Sequence, residues 1–279
     1  MPAGKQAIKR RIRSVEATKK ITQAMEMIAV SKFQKQKQIL EKNKEYSNTL
    51  EKVCNQILAN TEDRDVLWTQ KKEDTHPLII VFTSDLGLCG AYNANVLKHF
   101  KNQDVRGTYV VVGAKGYSWF KYREFTVENQ PMHSDELTFK TISDAMVEII
   151  EKYRNNEITS IRVFYTKFNN SVSFEPETKQ LLPFTSSDNQ KDVLSAETIF
   201  EPDAQTILDR LIPMTITSMV YRLYLESKTS EQASRRIAME NATDNAEEIV
   251  EELTLKYNQS RQAAITQELS EIIAGADAL

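Results

Sequence analysis

MTITSMVYRLYLESKTSEQASRRIAMENATDNAEEIVEELTLKYNQSRQAAITQELSEIIA, residues 214–274, runs without a glycine or a proline. As one α-helix, at ~1.5 Å of rise per residue, it measures about 90 Å. A compact chain of this length is only about 50 Å across by the usual scaling of size with length. Such a helix projects from any globule and needs a companion. Residues 5–76 form a second stretch free of both helix breakers, and supply one.

Charge favours the pairing. Residues 1–44 carry twelve Lys or Arg against three Asp or Glu, and residues 214–279 carry six against eleven. A basic and an acidic helix laid side by side attract. Val15, Thr18, Thr22, Met25, Ala29 and Phe33 are spaced three and four apart, and Tyr46, Leu50, Val53 and Ile57 repeat the pattern, so the first helix is expected to reach about Ala59. The basic N-terminus resembles a transit peptide in composition, but this continuity marks it as mature structure.

In the C-terminal stretch Ile212, Ile216, Met219 and Leu223 follow one seam, and Met239, Ala242, Ala246, Ile249 and Leu253 follow another, with coiled-coil spacing. Between them lies a polar interruption, residues 226–236, where the seam is expected to slip or open. Ser234, Ala238, Ala242 and Ala246 form a ribbon of small residues that admits two readings, close approach of a partner helix or helix propensity alone. Beyond Leu253 the strict seam is expected to end. Residues 257–279 then form a tip without a mate, whose apolar Ile265, Leu269 and Ile272 need another chain to cover them.

The middle of the chain has a different architecture. Five of the seven glycines fall between Gly87 and Gly116. Leu78 to Phe82 reads as a buried strand, followed by a glycine turn and a helix over about 91–100. A second strand is expected over 108–112 with a short helix after it, a longer helix over 139–153, and a third strand over 161–168. Strands alternating with helices imply a small α/β domain with a largely parallel sheet. The turn spacing G-x-x-G lacks the third glycine of a dinucleotide fingerprint and the lysine of a P-loop. It reads as a structural turn, with phosphate binding the weaker alternative.

Catalytic patterns are thin. His76, His99 and His133 have no ligand spacing, and Glu247, Glu248, Glu251 and Glu252 read as a solvated helix face. Cys54 and Cys89 fit no metal or redox spacing. The longest apolar run, residues 78–82, is far short of the ~20 residues of a membrane span, so membrane association is expected only through partners.

Several segments together resemble one family. They are Lys19 to Lys32 (KKITQAMEMIAVSK), Asp85 to Gly90 (DLGLCG), Ser230 to Ala233 (SEQA), Ala242 to Ala246 (ATDNA) and Tyr257 to Leu269 (YNQSRQAAITQEL). In content and order these are similar to the γ subunit of F-type ATP synthase. The resemblance implies a fold of a long antiparallel coiled coil of the terminal helices plus a small Rossmann-like α/β domain. It divides the chain into an N-terminal helix over 1–60, an α/β foot over 61–205 and a C-terminal helix over 206–279.

It further implies a non-catalytic rotor shaft, without cofactor, standing inside a ring of three α and three β subunits. The foot would rest on the ε subunit and the membrane-embedded c-ring, at the cytoplasmic face of a bacterial cell membrane. Residue by residue, Arg261, Gln262 and Thr266 align with residues that hydrogen-bond a β-subunit loop. Met25 aligns with the position facing an acidic β loop, which Lys19, Lys20 and Lys32 would complement in charge. Glu201 aligns with a region near the c-ring. Leu86 stands where the family usually has arginine, and the chloroplast members' inserted cysteine pair is absent. A basic coiled-coil arm for nucleic acid is the competing reading. Such arms, however, are usually contiguous hairpins interleaved with aromatics, and here the first helix offers mainly Phe33 and Tyr46.

Overall fold

The computed structural model describes residues 2–59, 67–70, 73–184, 200–201 and 203–277. In chain order these form α1 (Pro2–Ala59), β1 (Pro77–Phe82), α2 (Tyr92–Asn102), β2 (Thr108–Val112), α3 (Ala114–Tyr122), a 3-10 turn (Ser134–Glu136), α4 (Phe139–Arg154), β3 (Ser160–Phe168), β4 (Phe174–Leu182) and α5 (Ala204–Asp277). They fall into two compact units. One joins the start of α1, up to Val30, to α5 from Arg235 onward; the other is Ser31–Ser234. The expected start of the foot at residue 61 and the last two residues of the tip lie outside the described residues.

In the first unit α1 and α5 run antiparallel. Lys5 stands over the Tyr257 ring, Lys19 pairs with Glu247 at 2.8 Å, and the hydroxyls of Thr22 and Thr243 meet at 2.8 Å, so partner numbers fall along α5 as they rise along α1. The less exposed positions of α5 from Met239 onward include Met239, Thr243, Ala246, Val250, Leu253, Tyr257, Ser260 and Ala264, an unbroken alternation of four and three, with Ala242 half-buried beside it. Those of α1 include Ile12, Val15, Lys19, Thr22, Glu26 and Ala29 in the same alternation.

This corrects the expected seam in two places. Val250 rather than Ile249 carries it, leaving Ile249 42% exposed, and Thr243 is buried beside the half-buried Ala242. It also continues past Leu253 to Ala264. Polar and small residues carry it there, and an apolar-periodicity argument cannot see them.

In the second unit the sheet order is β2-β1-β3-β4, with β1 parallel to β2 and β3, and β4 antiparallel to β3. β1 is buried at every position, as a central strand covered on both faces must be. The edge strand β4 was not expected. Its sequence FEPETKQLL carries Pro176 and three charges, and only Leu181 and Leu182 are buried, the composition of a protected edge. Ile79, Val81, Val111 and Phe164 pack against Val96, Phe100 and Phe120 of α2 and α3. Leu78, Ile80, Val163 and Tyr165 pack in a second cluster with Ile142, Met146 and Ile150 of α4 and with Leu208, Ile212, Ile216, Met219 and Leu223 of α5.

α5 begins at Ala204, upstream of the proline-free stretch, and holds Pro213 within it. Asp203 caps the start, accepting hydrogen bonds from the Thr206 amide (2.8 Å) and hydroxyl (2.7 Å). A proline inside a helix has no N–H for the carbonyl four residues back. That carbonyl belongs to Asp209, and it accepts instead from the Arg154 guanidinium at 3.1 Å. The helix therefore passes through the proline with the freed acceptor satisfied. In this unit too α1 and α5 are antiparallel, as Cys54 meets Thr215 at 3.0 Å and Asn48 accepts from Arg222 at 2.6 Å.

Candidate functional site

In an open α/β sheet the ligand crevice lies beyond the carboxyl ends of the strands, where neighbouring connections diverge. Here that point lies between β1 and β3, beyond Phe82 and Phe168. The chain fills it with its own helix. Tyr224 of α5 packs its ring 5.8 Å from that of Phe82 and donates its hydroxyl to the Ser134 carbonyl at 2.8 Å. The Thr166 amide donates to Ser227 Oγ at 3.0 Å, while Ser230 donates to the Thr166 carbonyl at 3.3 Å. One turn on, Ser234 donates to the Cys89 carbonyl at 2.7 Å.

The polar interruption of the sequence is thus not a slip in a seam. Residues 227–234 are all buried; Ser227 and Ser230 answer the end of β3, Ser234 a loop carbonyl and Lys228 the Asp135 carboxylate, while Thr229 bonds the Leu225 carbonyl of its own helix.

The anion-binding positions are equally occupied. Asp85 accepts from the amides of Ala114, at the start of α3, and of Ser134 and Asp135, each at 3.1 Å. A carboxylate from within the chain therefore sits where a phosphate would use the helix terminus. The glycine turn is closed in the same way: Asn93 accepts from the Ser84 amide at 3.0 Å and donates to the Ser84 hydroxyl at 2.7 Å. Leu88 and Gly90 take positive φ, 60° and 56°, and Leu86 and Leu88 face outward, both more than half exposed. Among the described residues no cluster of His, Cys, Asp or Glu is arranged for a metal ion.

Charge gathers around Asp135. Lys228 of α5 is 4% exposed and ion-pairs with Asp135 and, at 3.1 Å, with Glu231; Lys32 of α1 pairs with the other Asp135 oxygen at 3.1 Å. Burial alone would raise the Asp135 pKa. The hydrogen bonds and charge of Lys228, then of Lys32, outweigh it and hold the carboxyl down at about 2. Glu226 is displaced the other way, raised by burial against the opposing charge of Arg222. Burial pushes the Cys54 thiol up to about 11 despite its hydrogen bond with Thr215.

The residues singled out from sequence do not form one site. Arg261, Gln262 and Thr266 share the exposed end of α5, with Thr266 donating to the Gln262 carbonyl at 3.0 Å. Met25 lies half-buried beside the seam of the same unit, well down the coil from them. Glu201 is exposed in the other unit, just before α5. Of the lysines near Met25, Lys20 is exposed, whereas Lys19 and Lys32 already hold Glu247 and Asp135. Sequence reasoning missed Asp135, Lys228 and Ser227. Their one visible signal was polar residues on a helix that had no apolar seam there.

The comparisons with known proteins agree across the whole chain. A profile of the ATP synthase family, described as "ATP synthase", matches residues 4–279. The "ATP synthase gamma chain" of Clostridium acetobutylicum is 39% identical over 285 residues, with 99% of both chains covered; that of Mycoplasmopsis synoviae is 37% identical over 281 residues, with 97% of both covered. Among solved structures, a chain from the central stalk and c-ring of the Tetrahymena thermophila mitochondrial ATP synthase is similar at TM-score 0.60 and 25% identity, over 80% of this chain and 99% of that one. A chain from the Euglena gracilis mitochondrial enzyme shares the fold at TM-score 0.69 and 16% identity, over 100% of this chain and 95% of that one. The profile and the full-length relatives place this chain in the ATP synthase gamma chain family.

Proposed function

We propose that this chain is the central rotor shaft of a bacterial F-type ATP synthase, carrying torque between an ion-driven c-ring and the catalytic α/β ring without catalysing a reaction itself. The observation that carries the reading is the end of the coiled coil. The seam stops at Ala264 while α5 continues to Asp277, with Ile265, Leu269, Ile272 and Ile273 all about half exposed or more. An apolar helix end of this kind requires a socket in other chains, and the ring of three α and three β subunits supplies one.

In this reading Arg261, Gln262 and Thr266 meet a β-subunit loop, and Met25 faces an acidic β loop from lower on the shaft. Glu201 lies toward the c-ring, with the ε subunit against the α/β domain. No described helix is long and apolar enough to cross a membrane. The chain would be held at the cytoplasmic face of the cell membrane by its partners.

Mild detachment from source membranes tests this. The chain should co-purify with two larger subunits, each in about threefold excess over it, the stoichiometry of one shaft per six-membered ring. Recovery as a free monomer bound to RNA would overturn the reading in favour of a nucleic-acid arm.

A further inference from the structure

We propose that the polar contacts around residues 224–234 of α5 are the torque joint of the shaft, and that Asp135 is the positioning residue that locks it. The inference rests on the rotor reading and adds to it the place where load passes from the α/β domain into the helices. Among the described residues, the contacts between the sheet, its loops and the two long helices are where torque entering that domain can pass into α5.

Most of those contacts are apolar, and apolar contact is non-directional: it resists separation of the surfaces but resists sliding or rotation weakly. Hydrogen bonds and ion pairs depend steeply on distance and angle, so they resist rotation of a helix about its own axis. Among the described residues of this unit, those from the sheet and its loops to α5 gather over residues 224–234, with Arg154 and Trp68 adding a separate hold at Asp209. Tyr224, Ser227, Lys228, Ser230 and Ser234 bond, respectively, to Ser134, Thr166, Asp135, Thr166 again and Cys89.

At 3.6 residues per turn these five side chains spread over about 160° of the helix circumference, from Ser230 on one flank to Lys228 on the other. The groups they hold come from three separate places: the end of β3, the loop after β1 and the turn Ser134–Glu136. A helix held from both flanks cannot turn without breaking bonds on each. A helix held along one line could roll.

Asp135 is the member that engages both helices. One carboxylate oxygen takes Lys228 of α5 and the other takes Lys32 of α1, while its amide is fixed by Asp85. Lys228 is additionally held by Glu231, so the buried cation is balanced on both sides. Half of the Asp135 side chain remains exposed, so the carboxylate can be altered without opening the core. The turn keeps its backbone hydrogen bond to Asp85 without the Asp135 carboxylate, whereas the lock needs the charge.

The test uses the assembled complex in inverted membrane vesicles, with ATP hydrolysis and ATP-driven ion pumping measured on the same preparation. Asp135→Asn keeps the shape and removes both ion pairs. Lys32→Met removes the α1 arm alone at a half-exposed position, so folding is not at stake. Both variants should assemble with normal subunit stoichiometry, and Asp135→Asn should hydrolyse ATP at near wild-type rate. Ions pumped per ATP should fall by about threefold or more in Asp135→Asn and by less in Lys32→Met, and Asp135→Glu should restore coupling.

Unchanged pumping in Asp135→Asn would overturn the joint. So would a proportional fall in hydrolysis, pumping and assembled complex, which marks a merely structural residue. Full pumping by wild-type complexes depleted of this chain would instead overturn the rotor reading itself, so the two failures are distinguishable.

Discussion

At the scale of single residues, the charge on Asp135 gives a pH dependence with a definite sign. Its folded pKa of about 2 lies below the ordinary value of 3.8, so the stabilisation it provides is fully present above about pH 4 and is lost as pH falls toward 2. For a half-exposed carboxylate, solvent screening reduces this to about 1 kcal/mol. Asp135→Asn should therefore lower the thermal midpoint of the purified chain at pH 6 and leave it almost unchanged at pH 2; an equal loss at both would contradict the ion pairs. Met25→Lys places a cation at a half-buried position of α1 where the proposed partner loop is acidic. The added charge-assisted contact should hold the shaft to the ring, so hydrolysis and pumping measured together should diverge, with pumping the more impaired. Cys54 and Cys89 are both buried, and the Cys54 thiol is raised to about 11. Neither should react appreciably with iodoacetamide at pH 7.5 before the chain is unfolded, as mass spectrometry would register.

At the scale of elements, the junction of β2 and α3 depends on Gly113 and Gly116, both pressed against Thr83. Gly113 has φ +95°, and a Cβ there would stand 2.3 Å from the Thr83 carbonyl oxygen. Gly113→Ala should cost about 3 kcal/mol or more. Gly87→Ala, whose Cβ would find only Lys115 Cε at 3.9 Å, should stay within about 0.5 kcal/mol; denaturant midpoints of the two variants compare them directly. The passage from β2 to α3 was legible in the sequence, and so were α1, β1, α2, α4 and β3, because apolar periodicity and glycine punctuation agree along those segments. β4 was not, since an edge strand carries the charges and proline of a loop. The first turns of α5 were hidden from breaker content by Pro213, whose orphaned acceptor is satisfied by Arg154, a residue 55 positions away along the chain, and only the family resemblance carried the helix back to residue 206. The seam was half legible: Met239, Ala246 and Leu253 announce it, but Thr243 belongs to it only because Thr22 stands opposite. The buried stretch from Ser227 to Ser234 was misread for the same reason, since its partners are strand ends and loops and not another helix.

At the scale of the molecule, an α/β domain has given its ligand crevice to a helix. Asp85 takes the anion position and α5 takes the cleft, so a domain of nucleotide-binding form serves as a socket. Recognition of the family from segments at both ends and in the middle carried the functional reading, whereas the joint emerged only from side-chain geometry. The central claim is that this chain turns. Tyr122, 84% exposed on α3, offers an attachment point for Tyr122→Cys, and the two native thiols are buried. With the assembled α/β ring fixed to a surface and a bead on that cysteine, ATP should drive unidirectional rotation in about three main steps per turn, set by the threefold ring. A bead that stays still while the same complexes hydrolyse ATP at full rate would contradict the account.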